Sequence, residues 1–184
     1  MDAADRTLID EVLGFWFSPE AQARWFDSTP QFDRTIAERF GALHDRALAG
    51  ELDHWTGDAA GALALLILLD QFPRNMFRGT PRAFESDAKA LAVSKAAIEK
   101  GFDQERPLRE RTFFYLPLEH SENLADQVEC VRLTREASYE DYLDYAIAHH
   151  DIIARFGRFP HRNAILGRAS SEEEAEFLKT HKGF

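Results

Sequence analysis

The sequence predicts an all-α protein built from antiparallel helix hairpins. Proline and glycine fall between segments of helical length, rather than at the roughly 8–12-residue spacing that separates strands in all-β proteins. Strict alternation of apolar and polar residues, which marks a half-buried strand, is nearly absent. A chain of 184 residues with 45% hydrophobic residues can bury one sizeable core. Residues 1–184 are therefore expected to form a single helical domain.

Capping residues mark where several helices begin. Ser18 and Thr29 each offer a hydroxyl that can accept a hydrogen bond from the next turn, and each precedes a proline suited to the first helical position. Segments 138–141 and 170–173 have the capping-box form, in which an acid three residues after the cap binds the cap's own N–H. These signals predict the beginnings of two early and two late helices.

Glycines and one apolar run define the helices between them. Gly50 and Gly101 follow helical segments and can adopt left-handed dihedral angles without a Cβ penalty, so they predict helix ends. The apolar run 59–69 predicts a buried helix, because it is far shorter than the roughly 20 residues that cross a bilayer. The predicted helices span residues 6–17, 19–26, 30–49, 58–71, 84–100, 108–116, 121–136, 139–155 and 171–179.

The charge of the chain excludes some partners. With 22 basic and 32 acidic side chains, the net charge is −10, and such a field repels phosphate backbones and anionic membrane surfaces. We therefore expect no nucleic-acid partner and no membrane partner. The single Cys130 cannot form an internal disulfide, and residues 1–12 lack the features of a secretory signal. A cytoplasmic location is expected.

Common catalytic and metal signatures are missing. The chain contains no serine-hydrolase elbow, nucleotide-binding loop or H-E-x-x-H zinc motif. Cys130 lies between acids in a predicted helix, and such neighbours raise a thiol pKa, so we expect it to be inert. His149 and His150 diverge by about 100° on a helix and cannot both face one ion. We expect no metal and no cofactor.

Two similar motifs carry the candidate chemistry. An apolar helix runs into QFPRNMFRG at 71–79, and a second runs into GRFPHRNAILG at 157–167. Both motifs place basic and amide side chains beside a proline at a predicted helix end, within an acidic chain. Buried guanidinium groups need anionic or carbonyl partners. The predicted ligand-binding residues are Arg74, Asn75, Arg78, Arg155, Arg158, His161 and Arg162.

The same residues allow a purely structural interpretation. Arginine and asparagine after a helix end can satisfy its free carbonyl groups, and Asp70, Glu119 and Glu122 could neutralise the arginines. A surplus of basic groups over these acids would instead favour an anion site. Because both loops leave apolar helices that should be neighbours, we expect Arg158 and Arg162 to lie near Arg74.

Three functions are consistent with this pattern. The first is binding of a small molecule that carries a phosphate or carboxylate, or of a peptide end. The second is a hydrolase or lyase, with His120 or His161 as acid or base and Asp70 or Glu119 orienting it. The third is a protein-interaction scaffold whose polar residues are structural. The sequence leaves the oligomeric state open.

Three long motifs carry a resemblance. LLDQFPRNMFRGT, FFYLPLEHSE and HHDIIARFGRFPHRN resemble the bacterial domain-of-unknown-function family 924 over nearly the whole chain. The resemblance implies an all-helical, tetratricopeptide-like fold and no established activity. The sequence departs from the family pattern at Val128, Cys130 and Thr134. The polar set that the resemblance implies comprises Asp70, Gln71, Arg74, Asn75, Arg78, Glu119, His120, Arg155, Arg158, His161 and Arg162.

Overall fold

The structure, a computed structural model, describes residues 1–25, 27–181 and 183. It confirms the all-α fold, because the described residues contain helices and turns and no β-strand. The α-helices are α1 (Ala3–Trp16), α2 (Pro19–Gln22), α3 (Pro30–Leu48), α4 (Ala59–Leu66), α5 (Phe72–Met76), α6 (Asp87–Glu99), α7 (Leu108–Glu119), α8 (Leu124–Glu136), α9 (Glu140–Phe156) and α10 (Glu172–Phe177).

The chain packs as two compact units. The first unit comprises residues 1–78 and 82–117, and the second comprises residues 79–81 and 118–184. The single domain expected for residues 1–184 and the tetratricopeptide-like arrangement stay predictions. Among the described helices, none is long and apolar enough to cross a membrane.

The early caps form as predicted. The Ser18 hydroxyl accepts a hydrogen bond from the Ala21 N–H at 3.2 Å, and Thr29 caps α3 in the same way. Gly50 and Gly101 follow α3 and α6 with φ angles of 88° and 75°. The helix predicted for residues 19–26 is shorter in the structure, where α2 ends at Gln22, and Phe26 lies outside the described residues.

The late caps differ from the predictions. The capping box of α10 is formed by Ser171 and Glu174, one residue later than the predicted pair that begins at Ser170. No side chain caps α9. Ser138 instead adopts a left-handed φ of 55°, which turns the chain between α8 and α9.

The core of the first unit forms around α4. Residues 62–69 are at most 1% exposed, which agrees with the prediction of a buried helix. The Phe72 ring lies 4.8 Å from Phe40 of α3 and 5.5 Å from Trp16 of α1, measured between ring centroids. Aromatic contacts thus join the first helices to the buried helix.

The prediction that the buried helix ends before Pro73 is wrong. The chain passes from α4 through a π-helical turn, Ile67–Gln71, into α5, so Pro73 lies inside a continuous helical segment. Proline lacks an N–H and its ring crowds the carbonyl four residues earlier. The wider turn accommodates it, with the Phe72 N–H bound to the Ile67 carbonyl. Likewise, α7 does not end at residue 116 but continues through Pro117 to Glu119.

Side chains satisfy the carbonyl groups of the π-helical turn. A buried carbonyl without a donor costs about 1–3 kcal/mol. Three consecutive carbonyls each receive a side-chain donor of the first unit: His44 Nδ1 to Leu68 O at 2.9 Å, Ser86 Oγ to Leu69 O at 2.5 Å, and Arg74 Nη1 to Asp70 O at 2.6 Å.

The second unit is built on the α8–α9 hairpin. Ile152 and Ile153 of α9 pack with Phe159, and Phe156 and Phe177 cover this cluster. The end of α7 is capped by a buried amide, because Gln127 Nε2 donates to the carbonyls of residues 119 and 121 at 2.6 and 2.7 Å. Of the residues that depart from the family pattern, Val128 is 53% exposed and the other two are buried.

Candidate functional site

Arg74 is held between two carboxylates of the first unit. Its Nη1 and Nη2 lie 3.0 and 3.1 Å from the Asp87 oxygens, and its Nη1 lies 3.4 Å from Asp70 Oδ1. Asp70 is 1% exposed and also accepts a hydrogen bond from Gln71. Burial opposes the charge on Arg74, but Asp70 and Asp87 raise its pKa above the ordinary value. Arg74 therefore neutralises a buried carboxylate.

Asn75 and Arg78 both bind Asp33 of α3. Arg78 Nε lies 2.9 Å from Asp33 Oδ2, and Asn75 Nδ2 lies 2.8 Å from Asp33 Oδ1. Burial would raise the pKa of Asp33, but hydrogen bonds from Arg78, Ser28 and Asn75 outweigh it and lower the pKa. Sequence reasoning missed Asp33 and Asp87, because they lie on other helices and no spacing rule links them to the motif.

Arg155 and Arg158 each pair with a glutamate of α10. Arg155 Nε lies 2.8 Å from Glu173 Oε1, and Arg158 binds both Glu174 oxygens at 2.6 and 2.7 Å. The hydrogen bonds from Arg158 lower the pKa of Glu174 to about 2. Both guanidinium groups therefore bind carboxylates of their own unit.

The loop between α9 and α10 is fixed by Glu122 and Arg168. Glu122 Oε1 accepts the Phe159 N–H at 2.8 Å, while Arg168 donates to the Phe159 carbonyl at 3.1 Å and to Glu122 at 2.7 Å. Burial would raise the pKa of Glu122, but the bonds from Arg168 and Phe159 lower it. Arg168 is absent from the predicted set, because it lies just after the motif and only the fold brings its side chain back to Phe159.

The ring of Phe159 is surrounded by ionisable side chains of the second unit. The ring centroids of His149 and His161 lie 5.7 and 5.5 Å from that of Phe159. The Arg162 Cζ lies 4.4 Å from the same centroid, a cation–π distance. Phe159, His149 and Arg162 are buried, whereas His161 is partly exposed.

Two further ionisable groups adjoin this set. The His120 ring lies 6.4 Å from that of His149, and Glu119 Oε1 lies 3.4 Å from His149 Nδ1. Glu119, at the end of α7, is 7% exposed, whereas His120 is partly exposed. The histidine cluster is defined as Glu119, His120, His149, His161 and Arg162.

Burial and positive charge keep two of these histidines neutral. Burial, with the charges of His120, Arg162 and His161, lowers the pKa of His149 to about 3. Burial, with the charges of Arg162 and His181, lowers the pKa of His161 to about 4. Both imidazoles are therefore neutral at pH 7.

Sequence reasoning missed His149. Its Nδ1 donates to the Tyr145 carbonyl at 2.8 Å, which orients the ring, and the residue is 5% exposed. Its neighbour His150 instead contacts Asp151. The helical spacing of the other buried residues of α9, Ala146, Ile152 and Ile153, would have placed His149 on the buried face.

Cys130 adjoins Glu119 at the edge of the histidine cluster. Its Sγ lies 4.0 Å from Glu119 Oε2. Burial, followed by the Glu119 charge, raises the pKa of the Cys130 thiol. Such a thiol is a poor nucleophile. Within the part of the chain that the structure describes, no group of three or more His, Cys, Asp or Glu side chains is arranged to hold a metal ion.

The predicted site residues fall into two groups. Asp70, Arg74, Asn75 and Arg78 belong to the first unit, and the remainder belong to the second. Within the second unit the structure brings together Glu119, His120, His161 and Arg162 and adds His149. The expected proximity of Arg158 and Arg162 to Arg74 spans the two units and stays a prediction.

The fold and these sites define an all-helical protein with a buried, histidine-rich polar cluster. The family described as "Bacterial protein of unknown function (DUF924)" matches residues 12–182, so the chain belongs to this family. A solved structure of a protein of unknown function from Agrobacterium tumefaciens is similar, with 40% sequence identity and a TM-score of 0.90. The match covers 96% of this chain and 99% of that chain. No curated protein matches the sequence.

Arg74→Ala should destabilise the protein far more than Arg78→Ala. Loss of Arg74 leaves the buried Asp70 carboxylate without its cation, at a cost of about 3–5 kcal/mol. Arg78 lies one turn further on, but its side chain is 58% exposed, and an exposed ion pair contributes about 1 kcal/mol or less. Urea denaturation of both variants measures the difference. Equal losses would contradict the structural role of Arg74.

The stability of the protein should fall as the pH decreases from 6.5 to 4.5. Unfolded histidines take up protons below a pKa of about 6.5, whereas folded His161 and His149 do so only near pH 4 and 3. As the pH falls through this window, each histidine therefore lowers the free energy of unfolding by up to about 1.4 kcal/mol per pH unit. Asp33, Glu122 and Glu174, whose pKa values are lowered, act mainly below it.

Unfolding free energies measured by urea denaturation at several pH values test this slope. His161→Gln should flatten it. His150→Gln, which changes a partly exposed histidine of α9 that contacts Asp151, is the matched control and should leave the slope unchanged. A wild-type slope of zero would contradict the burial of neutral histidines.

Proposed function

We propose that the protein binds a small anionic ligand, with a phosphate or carboxylate group, at the histidine cluster. The observation that carries this proposal is the charge of Arg162, which lies 7% exposed among histidines whose pKa values it lowers. A chain of net charge −10 thus holds a buried guanidinium group beside these imidazoles. A free carboxylate end of a peptide offers the same chemistry.

The chemistry of the cluster suits anion recognition. A guanidinium group binds carboxylate and phosphate oxygens in a bidentate geometry, and nearby imidazoles can add hydrogen bonds. His120 and His161 are partly exposed, whereas Glu119, His149 and Arg162 are buried. We propose that an anion approaches past these two partly exposed histidines and reaches Arg162.

The other predicted ligand residues have a different role in this proposal. Four arginines are bound to carboxylates of their own unit at 2.6–3.0 Å, and Asn75 binds Asp33. The four arginines are Arg74, Arg78, Arg155 and Arg158. We propose that these arginines and Asn75 stabilise the fold and do not contact the ligand.

The cytoplasmic location stays a prediction.

One contact favours an acid–base enzyme as a second candidate. Glu119 Oε1 lies 3.4 Å from His149 Nδ1, and a carboxylate beside an imidazole is a common catalytic arrangement. In this candidate His149, rather than His120 or His161, is the base of a hydrolase or lyase. Compounds that stabilise the protein can be incubated with it and followed by NMR. Compounds that remain chemically unchanged would argue against an enzyme.

Inorganic phosphate or small carboxylates should raise the melting temperature at pH 7, and Arg162→Gln should abolish this effect. A ligand at about 100 times its dissociation constant adds roughly 2.7 kcal/mol to the folded state. Arg155→Gln is the matched control, because Arg155 binds Glu173 outside the cluster and should leave the response intact.

Two results would contradict the proposed site. One is a wild-type protein that no phosphate, carboxylate or short peptide stabilises. The other is an unchanged response in Arg162→Gln. If Arg162→Gln does not fold, NMR of the wild type decides, since the ring signals of His149 and His161 should shift on titration with phosphate.

A further inference from the structure

We infer that the histidine cluster takes up a proton together with its anion, so that the affinity for the anion rises as the pH falls. This inference rests on the proposed function and adds its regulation by pH. It follows from the placement of His149, His161 and Arg162 around the buried ring of Phe159, with the ring of His120 next to that of His149.

Several titratable and charged groups face His149. Its own helix provides the Tyr145 carbonyl, which accepts from Nδ1 at 2.8 Å. Because a carbonyl can only accept, Nδ1 carries the ring proton in the neutral form. The other titratable or charged groups that face His149 are Glu119 at 3.4 Å from Nδ1, His120 at 6.4 Å between rings, and the charges of His161 and Arg162.

His161 lies in a similar field but nearer the surface. Its ring lies 5.5 Å from Phe159, and a Cβ built on Gly183 would lie 3.3 Å from its Cγ, so backbone packs against it. It is partly exposed, unlike His149. The charged or titratable groups that act on His161 are Arg162, His181, Glu122 and His120.

The histidine cluster resists further positive charge. Burial and the neighbouring cations hold the pKa of His161 at about 4 and that of His149 at about 3. An anion bound beside these rings adds a negative charge next to the imidazoles. An opposite charge within about 4–6 Å favours the protonated imidazole, so both pKa values rise when the anion binds.

The linkage is reciprocal. If the anion raises the pKa of a histidine, protonation of that histidine must raise the affinity for the anion by the same factor. His161 should respond first as the pH falls, because its pKa starts higher and its ring is more exposed. One proton taken up per anion corresponds to a tenfold gain in affinity per pH unit at most.

Titration calorimetry with sulfate tests the inference. Sulfate does not change protonation between pH 7.5 and 5.5, so any change in affinity belongs to the protein. At constant ionic strength, we expect the dissociation constant to fall several-fold over this range. Heats measured in two buffers of different ionisation enthalpy should show uptake of a substantial fraction of a proton per sulfate near pH 6.

Variants identify the group that takes up the proton. His161→Gln should reduce the proton uptake and flatten the pH dependence, whereas His150→Gln should behave as the wild type. If His161→Gln does not fold, His149→Asn replaces it, because its amide can still donate to the Tyr145 carbonyl. The number of protons that the wild type takes up per bound sulfate remains decisive in either case.

The outcomes separate the inference from the proposed function. If neither sulfate nor phosphate binds at any pH, both fail. If sulfate binds with the same dissociation constant at pH 7.5 and 5.5 and without proton uptake, the anion site stands and the proton linkage is overturned. Equal proton uptake in wild type and His161→Gln would assign the linkage to His149 or His120 instead of His161.

Discussion

The missing N–H of Pro73 is the constraint on which the first unit depends. In an α-helix Pro73 would donate to the Leu69 carbonyl, and in a π-helix to the Leu68 carbonyl, and it can do neither. Residues 62–69 are at most 1% exposed, so water cannot replace the donor. Side chains therefore supply donors to these two carbonyls, His44 from α3 and Ser86 from just before α6. Arg74, which serves the Asp70 carbonyl, also neutralises the Asp70 carboxylate.

The second unit solves a related problem with charged side chains. Beside Pro160, the N–H of Phe159 binds Glu122 and its carbonyl binds Arg168, so one ion pair satisfies both backbone groups. Both proline motifs thus require side-chain partners for backbone groups near the proline. In the second unit this requirement also fixes the ring of Phe159, around which the histidine cluster forms.

Local signals allowed much of the fold to be predicted. The caps at Ser18 and Thr29 and the glycines after α3 and α6 act within one turn, so the sequence shows them directly. The continuation of two helices through Pro73 and Pro117 could not be predicted, because tertiary contacts compensate for each proline. A rule based on the proline alone ends both helices too early.

The candidate site was only partly accessible from the sequence. Glu119, His120, His161 and Arg162 stand out through the motifs, whereas the acids that bind the other arginines lie far away along the chain. Counting only nearby acids therefore overstated the surplus of positive charge. The pair His149 and His150 suggests only a metal site that helix geometry rules out, whereas the burial of His149 follows from the periodicity of α9.

Removal of the Ser86 hydroxyl tests the central claim most directly, namely that side chains replace the hydrogen bonds lost at Pro73. Ser86 is fully buried, donates to the Leu69 carbonyl, and makes no capping bond to α6. Urea denaturation of Ser86→Ala should show a loss of about 1–3 kcal/mol. Thr7→Ala, which removes an exposed hydroxyl bound to the Ala3 carbonyl, should change stability by about 0.5 kcal/mol or less. A loss in Ser86→Ala no larger than that in Thr7→Ala would contradict the account.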